Sequence, residues 1–270
     1  MTLKEAEEIL RASGVEDARY DALTIAEYAS GKSRAALIAD RSCDLGEPFG
    51  ALIARRAARE PLQYIVGEWG FMDAVIEVSP DCLIPRADTE LLASLAAGEM
   101  KKTPGGALLD LCTGSGCVGI AVMMACPGVR CDAVELSEAA AAIAVRNAER
   151  NGVAERMNVI IGDVRDGADG GRAYAVITAN PPYITAGEMD SLAPELAFEP
   201  EMALTDGGDG LSLIRAIIGN YKHKAPVIFI EIGASQGDAV TRLAHGCGCS
   251  CIIRRDLSGR DRVAEVREGD

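Results

Sequence analysis

Histidine is nearly missing from this chain: it occurs twice in 270 residues, as His223 and His245, and neither lies in a motif-like setting. That scarcity weakens the case for NAD-dependent oxidoreduction. Aromatic residues are also few, at 4% of the chain, and no basic or aromatic segment suited to gripping nucleic acid stands out. Positive charge is in short supply. Lys and Arg number 27 against 41 Asp and Glu, a formal net charge of −14. A general nucleic-acid binder gains affinity by neutralising phosphates, so direct nucleic-acid binding is not expected, although local basic patches stay open. No apolar run is long enough to span a bilayer, so no membrane partner is expected. The opening MTLKEAEEILRASG reads as an amphipathic helix with acidic residues and not as a signal peptide. There are no repeats and no low-complexity tracts.

Apolar residues make up 49% of the chain, enough for a sizeable core. The nine cysteines are an odd number scattered through apolar segments. With no secretion signal, reduced thiols in the cytoplasm are the simplest account. The cluster HGCGCSC holds His245, Cys247, Cys249 and Cys251. Its spacing lacks the paired cysteines of a zinc site, so it reads as alternate positions on one face of a strand, and no metal is expected.

The chain divides by pattern. Residues 1–62 predict a small helical domain, with apolar residues three and four apart in LKEAEEILRASG, YDALTIAEYASG and PFGALIARRAARE. Gly14, Gly31 and Pro61 fall where helices should stop. YIVGEWGFMDAVIEVSP is β-rich and broken by Gly67 and Gly70, so residues 63–84 predict a β-hairpin linker. From about residue 107, strands and helices alternate. GALLDLC, VRCDAVEL, NVIIGDV, AYAVITAN and PVIFIEIG predict strands, and CSCIIRRDLSGRDRVAEVRE predicts a final antiparallel pair. This pattern implies an α/β domain over residues 85–270, a parallel sheet with helices on both faces and a mixed edge. Ser137 is placed to cap one helix and Asn151-Gly152 to end it.

The turn DLCTGSGCVGIAV carries Gly114, Gly116 and Gly119 at G-x-G-x-x-G spacing, and Glu135 follows about twenty residues later at a strand end. Spacing alone matches a dinucleotide fingerprint, yet any adenosine cofactor needs a close backbone and a carboxylate for its ribose. A ligand-free strand–helix turn is the bland alternative. Asp110, two residues before the turn, would repel a pyrophosphate. It suits S-adenosylmethionine, which carries an ammonium and a sulfonium. Asp163, after the third strand of this domain, is placed to accept from an adenine amino group. Asp110, Glu135 and Asp163 thus end three successive strands on the edge where open α/β sheets bind ligands.

The segment ANPPYI (179–184) leaves the fourth of these strands on the same edge. A planar amide or aromatic amino group is a poor nucleophile because its lone pair is delocalised. A site that methylates one should accept hydrogen bonds from its N–H groups and hold the nitrogen in line. The Asn180 side-chain oxygen and a main-chain carbonyl, that of Pro181, can do so; Pro181 and Pro182 fix φ and remove donors. Tyr183 can lie against the flat face of the group. Asn-Pro is also a frequent turn initiator, and it is the company of the glycine turn and acidic strand ends that points to an amino-group methyltransferase.

DLCTGSG, Glu135, GDV and ANPPY resemble the class I S-adenosylmethionine-dependent methyltransferases that modify planar nitrogens. With REPLQYIVGEWGF (59–71), IPRADTELL (84–92), FEPEMALTDGGDGL (198–211) and DLSGRDRV (256–263), nearly the whole chain resembles the release factor glutamine N5-methyltransferases. The resemblance implies a helical N-terminal substrate-recognition domain, a hairpin linker and a seven-stranded Rossmann-like catalytic domain. It implies methylation of N5 of the glutamine in the Gly-Gly-Gln motif of class 1 peptide chain release factors, with S-adenosyl-L-homocysteine as product. By the same resemblance Thr113, Gly114, Ser115 and Gly116 form the cofactor loop with Cys112. Glu135 binds the ribose, Asp163 and Val164 border the adenine, and Asn180, Pro181, Pro182 and Tyr183 hold the glutamine amide. Arg86, Thr89 and Glu90 lie near the cofactor or substrate opening; the bland reading of Arg86 and Glu90 is a surface pair at a helix start. Three positions depart from the family pattern: Cys112 for glycine, Val164 for an aromatic residue, and Glu135 for the commoner Asp. The rival readings are a ribosomal-protein glutamine methyltransferase, a DNA amino-methyltransferase acting on a flipped base, and a non-catalytic nucleotide-binding or interaction module.

Overall fold

A computed structural model describes residues 1–269; the last residue of the expected 85–270 domain lies outside the described residues. The chain forms two compact units, one of residues 1–68 with 193–198, the other of residues 69–192 with the chain from Glu199 onward.

The first unit is helical: α1 (Leu3–Ala12), α2 (Ala18–Ser30), α3 (Arg34–Ala39), α4 (Gly46–Ala57) and α5 (Leu62–Val66). Thr2 and Glu5 form a reciprocal capping box at the start of α1. Gly31 ends α2 in the left-handed conformation. Two helices went unread in the sequence. The six-residue α3, capped by Ser33, is too short to show a period. The helix α5 takes Tyr64–Val66, whose β-branched run reads as strand; Pro61 opens this helix instead of stopping α4, and Gly67 closes it at φ +77°. Leu10, Ile25, Phe49 and Ile53 form its buried core. An ionic network, buried at Arg56 and Asp21 and half-buried at Glu195 and Arg59, lies there too. Arg56 donates to Asp21 at 2.7 Å and to Glu195 at 3.0 Å, and Arg59 donates to the other Glu195 oxygen at 2.8 Å. Burial raises the Asp21 carboxyl above its usual range against the pull of Arg56.

The second unit opens on a hairpin, β1 (Glu68–Phe71) and β2 (Ala74–Glu77), followed by α6 (Thr89–Met100). Then come β3 (Ala107–Leu111), α7 (Cys117–Ala125), β4 (Arg130–Glu135), α8 (Glu138–Arg150), β5 (Met157–Ile161) and β6 (Val176–Ala179). The short α9 (Glu201–Leu204), α10 (Ser212–Tyr221), β7 (Ile228–Glu231), α11 (Gly237–Gly246), β8 (Cys249–Arg255) and β9 (Asp261–Glu268) complete it. One seven-stranded sheet runs β5-β4-β3-β6-β7-β9-β8. Its strands are parallel except β9, which is antiparallel to both β7 and β8. This is the mixed α/β sheet that the alternating pattern predicts. The strands shielded on both faces, such as IFIE of β7, are buried at every position. Ser137 caps α8 through the Ala140 N–H, as its position suggested.

The order reverses beside β3, between β4 on one side and β6 on the other. At such a switch point two connections leave in opposite directions and open a crevice at the carboxyl ends of the strands. Asparagines pin the hairpin near this crevice. Asn147 on α8 and Asn151, its C-cap four residues on, each pair with backbone N–H and C=O of β2, at Glu77 and Val75 respectively. Four helical residues and two strand residues advance by similar distances, roughly 6 and 6.7 Å, so the two amides imitate a neighbouring strand. Asn147 also donates to the Ser115 carbonyl at 2.9 Å, which ties the glycine turn to the same helix. Asn147→Ala is expected to cost about 2–3 kcal/mol, because it leaves buried backbone groups unpaired; urea unfolding midpoints at constant slope check this.

No helix among the described residues is long and apolar enough to cross a membrane. The cysteines other than Cys82 are free thiols, the Cys82 thiol donates to the Ser79 carbonyl, and no group of His, Cys, Asp and Glu suited to a metal ion occurs among the described residues.

Candidate active site

A cavity of about 270 Å³ lies at the carboxyl ends of β3, β4 and β6. Its walls include Arg86, Thr89, Asp110, Cys112, Thr113, Gly114, Ser115, Glu135, Asp163, Val164, Asn180 and Pro182. Of the residues singled out at the glycine turn, in IPRADTELL and in ANPPYI, Gly116, Gly119, Pro181, Tyr183 and Glu90 are not on its walls.

The glycine turn is braced from both sides. Asp110 is buried, and its two oxygens accept hydrogen bonds from the hydroxyls of Thr113 and Thr178 and from the Gly119 N–H. Thr178 reaches it because the two residues are register partners on adjacent strands β3 and β6. Glu135 takes the Gly114 N–H at 2.8 Å on one oxygen and the Ser137 N–H at 2.9 Å on the other. Both carboxylates therefore organise the turn before any ligand arrives. The third glycine serves packing. A Cβ on Gly119 would lie 3.0 Å from the Cys131 sulfur and 3.3 Å from an Asp110 oxygen, so glycine lets α7 sit this close to the sheet without displacing either side chain. Cys112 has φ +54°, a left-handed backbone that favours glycine, which is the physical reason glycine suits that position in the family pattern. Burial drives its thiol far above its ordinary value, so it is a packing residue and not a nucleophile.

Asp163 is gripped by Arg165 through three side-chain contacts of 2.6–3.0 Å and one backbone bond, which hold its carboxyl below the usual range. Val164 is buried beside it.

Arg86 and Glu90 do not pair with each other. Arg86 forms an ion pair with Glu199, whose other oxygen takes the Ile84 N–H at 3.1 Å. Glu90 accepts from the Met72 N–H at 3.2 Å and so supports the hairpin turn. FEPEM thus supplies a buried carboxylate that fixes IPRADTE. Pro200, Met202, Thr205 and Asp206 from the same stretch line the cavity. Asp206 in turn collects the N–H groups of Gly208, Gly210 and Ser212.

At ANPPYI, the Asn180 side-chain nitrogen donates to the Thr89 hydroxyl at 3.4 Å, leaving its oxygen as the free acceptor. Tyr183 turns its hydroxyl away to Glu231, the last residue of β7, at 3.1 Å. Its carbonyl is held by the Gln236 amide at 3.0 Å. Gly210 passes so near that a Cβ there would fall 2.1 Å from this carbonyl oxygen. Glu199, Glu231, Asn147 and Gln236 went unread in the sequence. Glu231 alone had left a signal there: like Asp110 and Glu135, it is an acid at the end of an apolar strand.

Comparison with known proteins places this geometry. A family profile described as the PrmC N-terminal domain matches residues 2–67, and one described as a methyltransferase small domain matches residues 88–228. The release factor glutamine methyltransferase of Cereibacter sphaeroides is 38% identical, over 98% of this chain and 96% of its own length. The chain belongs to the release factor glutamine methyltransferase family. The family's member from Bordetella pertussis is 36% identical over 91% of this chain and 93% of its own. The Geobacter sulfurreducens member is 36% identical over 96% and 93%. Among solved structures, the hMettl16 catalytic domain in complex with MAT2A 3'UTR hairpin 6 matches with a TM-score of 0.58 at 16% identity, covering 80% of this chain and 81% of that one. That likeness concerns the fold alone.

Proposed function

We propose that this protein transfers a methyl group from S-adenosyl-L-methionine to N5 of the glutamine in the Gly-Gly-Gln motif of class 1 peptide chain release factors, leaving S-adenosyl-L-homocysteine. Membership of the family supports the reaction. The observation that carries the site is the Asn180 carboxamide on the cavity wall, its nitrogen engaged by Thr89 and its oxygen available.

The donor set fits an adenosyl cofactor. Carboxylates from the ends of β3 and β4 and from just beyond β5 share the cavity with the glycine turn, and Val118, Val134, Val164 and Leu213 give it an apolar wall. Glu135 and Thr113–Gly116 would hold the ribose and the amino-acid end, with Asp110 behind the turn; Asp163 and Val164 would border the adenine. Once bound, the cofactor supplies a methyl group made electrophilic by a positively charged sulfur. The chain's own part is positioning. Asn180 Oδ1 and the Pro181 carbonyl accept from the two N–H groups of the glutamine amide and turn its nitrogen toward the cavity. The two prolines keep the turn rigid and free of competing donors. No side-chain base is required, since the methylated nitrogen gives its proton readily to water.

The helical N-terminal unit carries no chemical motif, and in this reading residues 1–62 with the hairpin recognise the folded release factor. The reaction belongs to the cytoplasm, where release factors act and where reduced thiols persist. The test is methyl transfer from labelled S-adenosylmethionine to a purified release factor beside its Gly-Gly-Ala variant. Label on the wild-type factor alone is expected. Equal label on both would move the modification to another residue, and label on neither would redirect the search to a ribosomal protein.

A further inference from the structure

Behind ANPPYI lies a buried carboxylate that the proposed reaction has not used. Glu231, at the end of β7, is only 1% exposed. Its Oε1 accepts from the Tyr183 hydroxyl at 3.1 Å. Its Oε2 is buried with no hydrogen-bond partner among the described residues. Buried carboxylate oxygens without partners are costly, so such an atom asks for a reason. Arg262 of β9 faces it, but its Nη2 goes to Asp88 at 3.0 Å and Asp256 at 3.3 Å, and its buried Nε makes no hydrogen bond to Glu231 or to any other described residue. Beside Glu231 stands also Thr89 at the start of α6, whose hydroxyl favours the ionised form of the carboxyl.

Thr89 is also the group that receives the Asn180 nitrogen. A hydroxyl has one hydrogen to give. An anionic carboxylate behind it draws that hydrogen toward Glu231, which leaves the lone pairs of Thr89 to face Asn180. Asn180 must then present its NH₂ to Thr89 and its oxygen to the cavity, the orientation that an amide substrate needs. We propose that Glu231 is a positioning residue of the transfer site, fixing the direction of the Asn180 carboxamide through Thr89 and seating the following turn through Tyr183. This inference rests on the reading of Asn180 as the acceptor for the glutamine amide.

The proposal has a consequence for pH. The groups facing Glu231 are Thr89, Asp88, Tyr183, Arg262 and, from α7, Cys117. Burial raises the carboxyl to about 7, with the Thr89 and Tyr183 hydroxyls opposing that rise. When protonated, Glu231 becomes a donor to Thr89. The Thr89 hydrogen then turns toward Asn180, whose oxygen is drawn off the substrate.

The test uses the full-length enzyme and a release factor, reading single-turnover rate, substrate KM and cofactor Kd from pH 6 to pH 9. Thr89→Val is expected to lower kcat about 10- to 100-fold, with cofactor Kd and release-factor KM within about threefold of wild type. Thr89→Ser should restore most of the rate. The wild-type rate should fall about tenfold from pH 8 to pH 6. Glu231→Gln, whose amide stays a donor at every pH, should be slow and flat across that range. An active wild type with a Thr89→Val rate equal to it, or with the loss confined to cofactor Kd, overturns the inference; so does a Glu231→Gln enzyme that keeps the wild-type pH slope. Should Glu231→Gln fail to fold, the Val and Ser pair at position 89 decides alone. A wild type inactive on every release factor would instead sink the functional reading beneath it.

Discussion

Asn180→Ala is expected to lower the rate of methyl transfer to a release factor by about 10²–10³-fold while leaving cofactor affinity within a few-fold of wild type. The magnitude is that of removing one preorganised hydrogen-bonding group from a reacting centre. The side chain sits on the cavity wall, with its nitrogen on Thr89. Deleting it removes the acceptor that orients the amide, whereas the glycine turn, held by Asp110 and Glu135, stays in place. Single-turnover kinetics with labelled cofactor, beside calorimetric binding, separates the two effects. A variant that loses cofactor affinity in the same proportion as rate would show Asn180 to be a cofactor ligand first. Asn180→Asp should also be slow, because a carboxylate there would accept from Thr89 and compete for its hydrogen.

Asp110→Ala carries the second largest effect, and it falls on stability as well as binding. Three donors converge on this buried carboxylate: the hydroxyls of Thr113 and Thr178 and the Gly119 N–H. Removing it leaves them facing a void. The expected loss is about 3 kcal/mol of folding stability, the range for breaking a buried polar cluster at one member, and a cofactor affinity about 100-fold weaker. Denaturant unfolding and calorimetry measure the two. Burial, opposed by these three donors, raises the Asp110 carboxyl from 3.8 to about 6. A raised carboxyl binds its proton more tightly in the folded chain than in the unfolded one. Its contribution to stability is therefore most favourable below about pH 4, declines as pH rises to about 6, and is constant above that. The ionised group is retained in spite of that penalty, which the hydrogen bonds to the turn offset. Asp110→Asn should flatten the stability profile between pH 4 and 6, and an unchanged slope would show that another group titrates there.

Much of this was legible in the sequence because the signals were local. Alternating apolar runs and helical periods predicted the mixed α/β sheet, and its antiparallel edge followed from two β-rich segments joined by DLSGRD. Glycines, prolines and an asparagine at strand ends marked the cavity, because backbone restrictions are written in single residues. Where local signals conflicted with context, the reading failed. Tyr64–Val66 has a strand-like composition but forms α5 between Pro61 and Gly67. The bland alternative for Arg86 and Glu90, a surface pair at a helix start, does not form, because Arg86 finds Glu199 more than a hundred residues away. The Glu231 partner of the Tyr183 hydroxyl likewise lay beyond any local signal.

The sequence by itself determined which strands exist, which turn bears the glycines, and which carboxylates and amide lie at strand ends. Those properties depend on residues a few positions apart. Only the tertiary structure decided how the groups face one another. The switch of strand order beside β3 brings Asp110 next to Thr178, and the return of β7 beside β6 places Glu231 behind Tyr183. The start of α6 sets Thr89 against Asn180 across ninety-one residues of chain. Hydrogen bonds are directional and short, so the direction of an amide is settled only when distant segments have packed.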